Sequence, residues 1–561
     1  MAKEDLAPKV AEHDPITIEI IQSSLRSITD EMFATMRKTA MSSVIYEVLD
    51  FGVAMMDADG ELASSGSGIP SFVGMLAPGI KSVRRKFTKP DDIKPGDVFA
   101  TNIPHHGGVS HLNDVVLMQP VFFNGQIISW LANKAHWVDV GGTFPGSISV
   151  DALDIYQEGL QLPCIKVIDQ GKENQAVIDI MAGNSRVPDI TVGDFWAGIA
   201  SMRSGEKRLQ ALIEKYGDET VRYAIADYIA LGEAMARTEL KKLPMGVYSA
   251  TEKLEDGRVV KAVVTITTDA FTVDLRGNPK QGKNALNSSL DATIVDAQMV
   301  FKALTDPQSF ANAGSFRPVE VLTDEGSIFN AQYPTAMGVY YETGMILFDL
   351  IWKALAPFME QHLTAGHYGS ICGTFLGGKH PDTGKEHSIV EPQLGGWGAS
   401  LDRDGVNALY TGQHGETFNV PVEVAEQRNG LMIDRLCLND APGGEGQYIG
   451  GKGINLDYRI LGDDWWISMT YVRSESGPWA LEGGRPGSTN YINVVRKDGS
   501  EKRYSSCTAL PLEKGDVVQV VTANGGGYGP PQKRAKDSVF SDIKNGYITA
   551  ERARYIYGTE A

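Results

Sequence analysis

Apolar residues recur in steps of three and four at Ile18, Ile21, Leu25, Ile28, Met32 and Met36, just after Asp14-Pro15. That spacing lays one stripe along one face and predicts an opening amphipathic helix. The polar residues 1–14 are expected to form a disordered tail. From Asp50 the chain runs Phe51-Gly52-Val53-Ala54-Met55-Met56 and then Asp57-Ala58-Asp59-Gly60, a strand closed by an Asp-Gly turn. A helix is expected over 72–87 and strands over 97–101, 115–123 and 127–133, with Phe123-Asn124-Gly125 as a hairpin turn. Helical periodicity returns over 193–240. Strands follow over 247–253, 258–267 and 270–275, with helices over 289–305 and 342–362. From about 385 onward glycine, strand formers and turn residues dominate. The predicted fold class is therefore mixed α/β (α+β), multidomain, with a glycine-rich, strand-rich C-terminal half. The expected units are a tail over 1–14, an α/β region over 15–242, a central α/β region over 243–384, a glycine-rich β region over 385–535 and a helical tail over 536–561.

Composition narrows the function classes. The 561 residues are 42% hydrophobic and 22% charged, a globular balance with material for several cores. The formal net charge is −18, and the densest basic run, Lys81-Ser82-Val83-Arg84-Arg85-Lys86, reads as a helix end. No basic stripe of the kind that tracks nucleic acid is present. The four cysteines are far apart and form no C-x-x-C pair, which argues against a disulfide framework. No apolar run reaches the roughly 18 residues of a membrane span, and the N-terminus lacks the apolar core of a signal peptide. A soluble, cytoplasmic protein without nucleic-acid or membrane partners is expected.

Three of the ten histidines cluster in Asn102-Ile103-Pro104-His105-His106-Gly107-Gly108-Val109-Ser110-His111-Leu112-Asn113-Asp114. A fourth follows in Asn133-Lys134-Ala135-His136-Trp137-Val138-Asp139-Val140-Gly141-Gly142. Two neutral imidazoles and a carboxylate, from His111, His136 and Asp114, suit a divalent transition metal with an open coordination position. Asp50, at the start of a separate strand, is a candidate fourth ligand. By spacing alone, turn-capping histidines bonded to backbone are the commoner outcome of so short a pattern as H-x-x-D.

The stretch 97–163 resembles the hydantoinase B/oxoprolinase family. The matching motifs are Asn102 to Asp114, Ala135 to Gly142, Pro145-Gly146-Ser147, and Ile155-Tyr156-Gln157-Glu158-Gly159 through Pro163. Further matches continue the resemblance over nearly the whole chain: Arg317-Pro318-Val319-Glu320, Glu342-Thr343, Gly395-Gly396-Trp397-Gly398-Ala399, Asn419-Val420-Pro421-Val422-Glu423, the 443–453 glycines and Gly525 to Gly529. The resemblance implies metal ligands at His111, Asp114 and His136, with Asp50 as a further one. It also implies catalytic roles in orienting a ligand or moving a proton for His106 and Asp139. The implied metal is zinc or manganese, and ATP with magnesium would be bound by a hydantoinase A-like partner subunit. A hetero-oligomer with two or more copies of each chain is implied. The implied activity is ATP-dependent hydrolysis of a cyclic amide such as a hydantoin, a lactam or 5-oxoproline. ATP-dependent carboxylation of acetone or acetophenone is the alternative, and a non-catalytic scaffold is the alternative of another class. One departure stands out: where the family pattern has aspartate after the asparagine, this chain has Ile103.

Other features read plainly. The glycines of 450–453 and 525–529 lack the G-x-x-x-x-G-K-[ST] of a phosphate loop and predict tight turns. Cys372 is expected to be a buried structural thiol. His362, His380 and His387 are expected on the surface or in loops. Trp137 and Trp397 adjoin glycine turns, where core packing and a pocket wall are both open readings.

Overall fold

The computed structural model describes residues 14–415 and 417–558. The expected tail therefore lies, but for Asp14, outside the described residues. Asp14 caps the opening helix Pro15–Thr39: its carboxylate accepts from Thr17 N–H at 3.0 Å, and Pro15 occupies the first turn, where its missing N–H costs nothing. All six residues of the predicted stripe are buried.

That helix covers one face of a seven-stranded sheet. The strands are β1 (Phe51–Asp57), β2 (Leu62–Gly68), β3 (Val98–Thr101), β4 (Asp114–Phe123), β5 (Gln126–His136), β6 (Ile165–Asp169) and β7 (Lys172–Glu173), in the order β2-β1-β5-β4-β3-β6-β7. Alternate residues serve opposite faces, as strand geometry requires. Val53 and Met55 join a core with the opening helix and the helix Pro188–Tyr216, while Ala54 and Met56 join a core with the helix Pro70–Lys86. Burial on both faces explains the near-continuous apolar runs of β1 and β4. The β4–β5 hairpin turns through Asn124 (φ 50°) and Gly125 (φ 78°), the two left-handed positions of a tight hairpin.

A four-stranded sheet in the order β11-β10-β9-β8 comprises β8 (Gly246–Lys253), β9 (Val259–Ile266), β10 (Phe271–Asp274) and β11 (Val319–Leu322). Its core is shared with the helices Leu290–Thr305 and Tyr340–Leu355. Apolar periodicity predicts that the second helix continues to 362. It stops at Leu355 because Pro357 follows, and Ala356–Phe358 form a short 3-10 turn instead.

Two more sheets share a core. One contains β12 (Thr374–Lys379), β13 (Glu386–Glu391), β16 (Trp465–Thr470) and β19 (Ser506–Leu512). The other contains β14 (Leu431–Leu438), β15 (Ile454–Ile460), β17 (Tyr491–Val495), β18 (Glu501–Tyr504) and β20 (Val517–Val521). The glycine-rich segments beside them correct the expectation of simple tight turns. Gly451 N–H donates to the Trp397 carbonyl at 2.8 Å, Gly525 N–H to the Gly451 carbonyl at 2.9 Å, and Gly396 N–H to the Ala523 carbonyl at 2.9 Å. Three remote segments thus pack backbone against backbone, and a Cβ at Gly396 would overlap the Gly451 carbonyl oxygen. Glycine is needed there for close approach rather than for turning.

Beyond them the helices Lys536–Lys544 and Ala550–Tyr557 close the described chain, tied down by Arg534 to Asp404 and Asp542. No helix among the described residues is long and apolar enough to cross a membrane.

Candidate metal centre

The site forms at one end of the seven-stranded sheet. Asp114 opens β4 and His136 ends β5, and the register pairs them directly. Asp50 immediately precedes β1, whose Phe51 pairs Ala135, and the Asp50 carbonyl accepts from His136 N–H at 3.1 Å. His111 stands one turn before Asp114, with Asp114 N–H donating to the His111 carbonyl at 3.1 Å. Residues up to 86 positions apart in sequence are thereby brought together by strand pairing and one turn.

The side chains converge. His111 Nε2 lies 3.0 Å from Asp114 Oδ1 and 3.2 Å from His136 Nδ1. His136 Nδ1 lies 3.4 Å from Asp114 Oδ1 and 3.9 Å from Asp50 Oδ2. Ligand atoms bound to one ion at about 2.1 Å, at angles of about 90–110°, stand about 3.0–3.4 Å apart. The His111, Asp114 and His136 atoms meet that spacing, and all three residues are buried.

The protonation pattern bears on what fills the centre of this group. A backbone carbonyl can only accept, so His111 Nδ1 donates to Gly338 at 2.8 Å, and in the neutral form of the ring, the form that binds metal, Nε2 presents its lone pair to the carboxylate oxygen of Asp114. Two lone pairs that close repel unless a proton or a cation lies between them. Among the described residues His136 Nε2 is buried without a partner, and Asp50 adds a further acceptor beside His136 Nδ1. The converged donor set is two imidazoles and one carboxylate, with Asp50 beside it, and suits a divalent transition-metal ion.

Asp114 is held from its other side. Its Oδ2 accepts from Ser110 Oγ, lies 3.4 Å from Lys134 Nζ and receives the Tyr340 hydroxyl at 3.4 Å. Burial alone would raise the Asp114 pKa, but the neighbouring His111 and Lys134 outweigh it and hold the carboxyl well below its ordinary range. Burial pushes Asp50 the other way, up, against the opposing pull of His136. Lys134 is fully buried, donates to Ser110 Oγ and sits 4.3 Å from the Phe72 ring centroid. Its own pKa is lowered by burial, with Asp114 opposing.

A cavity opens beside the four residues, walled by Phe72, Tyr340, Tyr341, Phe375, Gln413 and His414 among others. It offers ≈ 40 Å³ to the centres of water molecules, room for a few waters. Among the described residues His414 Nδ1 is buried there without a partner, and burial takes the ring down to about pKa 4, so it is neutral at physiological pH. Gln413 is oriented by Asp296, donating from Nε2 at 2.6 Å.

The other two sequence candidates lie elsewhere. His106 ends the 3-10 turn Pro104–His106, is exposed, and stacks on Tyr333 with ring centroids 6.4 Å apart. Its carbonyl accepts from Arg85 at 2.9 Å. Asp139 is buried, accepts from Gly141 N–H at 2.9 Å and Gly146 N–H at 3.0 Å, and pairs with Arg186 at 3.0 Å. Neither is hydrogen-bonded to His111 or His136 among the described residues, and the orienting acceptor for His111 is Gly338. Ile103 is buried in the apolar core that the opening helix also joins.

Lys134 was legible in principle, since strand alternation puts it on the same face as His136 two residues on. Tyr340, His414 and Gly338 come from more than 200 residues downstream of the motif and carry no local signal. Cys372 is fully buried, with burial raising its thiol pKa well above the ordinary range, which leaves it inert. His362 is exposed, His380 lies in the loop after β12, buried beside Gln427, and His387 is half-buried within β13. Trp137 is a core residue against Phe195, and Trp397 donates to the Tyr410 carbonyl at 2.8 Å, so neither walls this cavity.

The family model for Hydantoinase B/oxoprolinase matches residues 14–531, and the chain belongs to that family. A Pseudomonas sp. strain NS671 protein provisionally described as one subunit of a D-/L-hydantoinase is 32% identical, over 97% of this chain and 95% of its own. The beta chain of the Pseudomonas jessenii caprolactamase is 30% identical over 97% and 96%. An uncharacterised protein of Methanocaldococcus jannaschii is 34% identical over 96% and 95%. The crystal structure of the ATP-dependent caprolactamase from Pseudomonas jessenii superposes with a TM-score of 0.91, at 28% identity over 98% of this chain and 96% of that one. A nucleotide-free acetone carboxylase shares the fold, with a TM-score of 0.90 at 19% identity over 98% of this chain and 80% of that one.

Proposed function

We propose that this chain is the metal-bearing subunit of a cytoplasmic, ATP-dependent hydrolase of cyclic amides, working with a hydantoinase A-like partner that binds ATP and magnesium. The observation that carries the reading is the convergence of His111 Nε2, Asp114 Oδ1 and His136 Nδ1 within 3.0–3.4 Å of one another, with the tautomer of His111 fixed so that its lone pair faces the carboxylate. The 30–32% identity to chains of a hydantoinase and a caprolactamase supports the substrate class and the hetero-oligomer, for which two or more copies of each chain are proposed.

His111, Asp114, His136 and Asp50 would hold a zinc or manganese ion. Such an ion, when bound, polarises an oxygen or brings the pKa of a coordinated water to about 7. The chain's own contribution is a buried, preorganised shell. Gly338 fixes one imidazole and Ser110 and Lys134 fix one carboxylate. Phe72, Tyr341 and Phe375 limit water to a few molecules. His106 and Asp139 are proposed for proton movement and orientation, His106 from the exposed turn beside Tyr333 and Asp139 through the 141–146 loop.

Ketone carboxylation is the second reading, favoured by Ile103 where the motif has aspartate. The purified chain, reconstituted with its partner, is assayed for ATP-dependent turnover of hydantoin, caprolactam and 5-oxoproline, and in parallel of acetone and acetophenone with bicarbonate. Ring opening that is lost in His111→Ala supports the proposal. Bicarbonate-dependent turnover of the ketones reverses it. Full activity of a folded His111→Ala protein leaves this chain a non-catalytic scaffold.

A further inference from the structure

Glu158, in the Ile155-Tyr156-Gln157-Glu158-Gly159 segment, is 2% exposed. Among the described residues its partners are two backbone N–H groups: Met337 N–H donates to Oε1 at 2.9 Å and to Oε2 at 3.2 Å, and Gly338 N–H donates to Oε1. A carboxyl group buried without a cation is costly, so its place here calls for a reason. The reason lies on the far side of Gly338, whose carbonyl accepts from His111 Nδ1 at 2.8 Å.

We infer that Glu158 is a positioning residue for the metal centre, acting through Gly338 on the tautomer and orientation of His111. The chain of contacts is short. The Glu158 carboxyl fixes the 337–338 backbone, and the Gly338 carbonyl commits the His111 proton to Nδ1. Nε2 then faces Asp114 Oδ1 at 3.0 Å. A hydrogen bond from the non-ligating nitrogen to a carbonyl or carboxylate is the usual way a ligand imidazole is oriented. Here the carbonyl belongs to a loop and needs its own anchor. That loop is tied to the Glu158 segment elsewhere too: Ile155 N–H donates to the Pro334 carbonyl at 2.8 Å, and the Tyr333 and Tyr156 hydroxyls meet at 2.6 Å. A Cβ at residue 338 would stand 2.8 Å from Glu158 Oε1 and displace it.

The inference rests on the metal-centre reading, and cobalt(II) separates the two. The full-length, metal-free chain is titrated with cobalt(II), following the visible d–d bands and the dissociation constant, with thermal melting of the metal-free protein as the check on folding. In Glu158→Gln the amide oxygen still accepts both N–H groups, and affinity and spectrum are expected within about threefold of the parent. In Glu158→Ala the bands should change and affinity fall about 10–100-fold, with Gly338→Ala doing the same. The double variant should be little worse than either, since both act through one link. If Glu158→Ala does not fold, Glu158→Asp, one methylene short, and Gly338→Ala carry the test. A parent chain that binds no cobalt sinks the metal reading and this inference with it. A parent that binds, with spectrum and affinity unchanged in the folded variants, sinks this inference alone.

Discussion

Asp114 and His136 are direct partners across the β4–β5 hairpin, and their side chains meet at 3.4 Å between Oδ1 and Nδ1. The hairpin register therefore doubles as the metric of the site. A one-residue slip would send one of the two to the opposite face of the sheet.

The fully buried Lys134 is the counter-charge to Asp114, at 3.4 Å. Lys134→Met leaves a buried carboxylate with less compensation, which typically costs about 3–5 kcal/mol. A divalent ion would restore the missing positive charge. The variant should therefore melt well below the parent without metal and recover much of the gap in saturating zinc, as ligand binding to the folded state stabilises it. Differential scanning calorimetry with and without zinc measures this. An equal gap in both conditions contradicts it.

Glu342 sits on the helix Tyr340–Leu355 with Oε1 accepting from Ser370 Oγ at 2.9 Å and Ile371 N–H at 3.1 Å, while Oε2 is buried without a partner among the described residues. Burial pushes its pKa up to about 8 from the ordinary 4.5. The folded protein therefore keeps this proton where the unfolded chain releases it. The stability linked to Glu342 is complete below pH 4.5 and declines as pH rises through about 8. Glu342→Gln, which mimics the neutral acid, should gain on the parent between pH 5 and pH 8 in urea unfolding. A pH-independent difference would falsify the assignment.

How much of this was legible depends on what each residue's signal was. The opening stripe from Ile18 to Met36, the β4–β5 hairpin and the His111-x-x-Asp114 turn all read from local periodicity or turn chemistry, and they carry most of the site. The helix end at Leu355 is hidden because apolar periodicity continues past it, while Pro357 breaks the backbone. The packed glycines mislead because tight turns and close backbone approach leave the same composition in sequence. Gly338, Tyr340 and His414 reach the site only through tertiary packing, so no window around the histidines contains them.

The glycine contacts make a paired prediction. Gly451→Ala would drive a Cβ into the Val406 carbonyl oxygen and should cost at least about 3 kcal/mol, the upper range for overpacking, or abolish soluble expression. Gly183→Ala, in the helix Gln175–Asn184 with open space around it, should be neutral or add up to about 1 kcal/mol through helix propensity. Urea midpoints of the two variants decide the matter, and equal shifts would refute the close-approach account.

The shell around Asp114 can be probed separately from the ligands. Ser110→Ala removes the hydroxyl that bridges Lys134 and Asp114 Oδ2 but leaves every proposed ligand atom in place. Zinc affinity should weaken about tenfold, in the range typical of groups that orient ligands, while stoichiometry stays unchanged. Competition with a chromophoric chelator gives both numbers. A loss of stoichiometry would mean that Ser110 does more than orient Asp114.

Metal content, measured by inductively coupled plasma mass spectrometry on the purified full-length chain, tests the central claim most directly. The parent should carry close to one divalent ion per chain, zinc or manganese, and so should His362→Ala, whose histidine is exposed and remote in sequence from the cluster. Folded His111→Ala, Asp114→Ala and His136→Ala proteins should carry almost none. A parent chain that stays metal-free after zinc or manganese is supplied, or ligand variants that keep a full complement, would contradict the account.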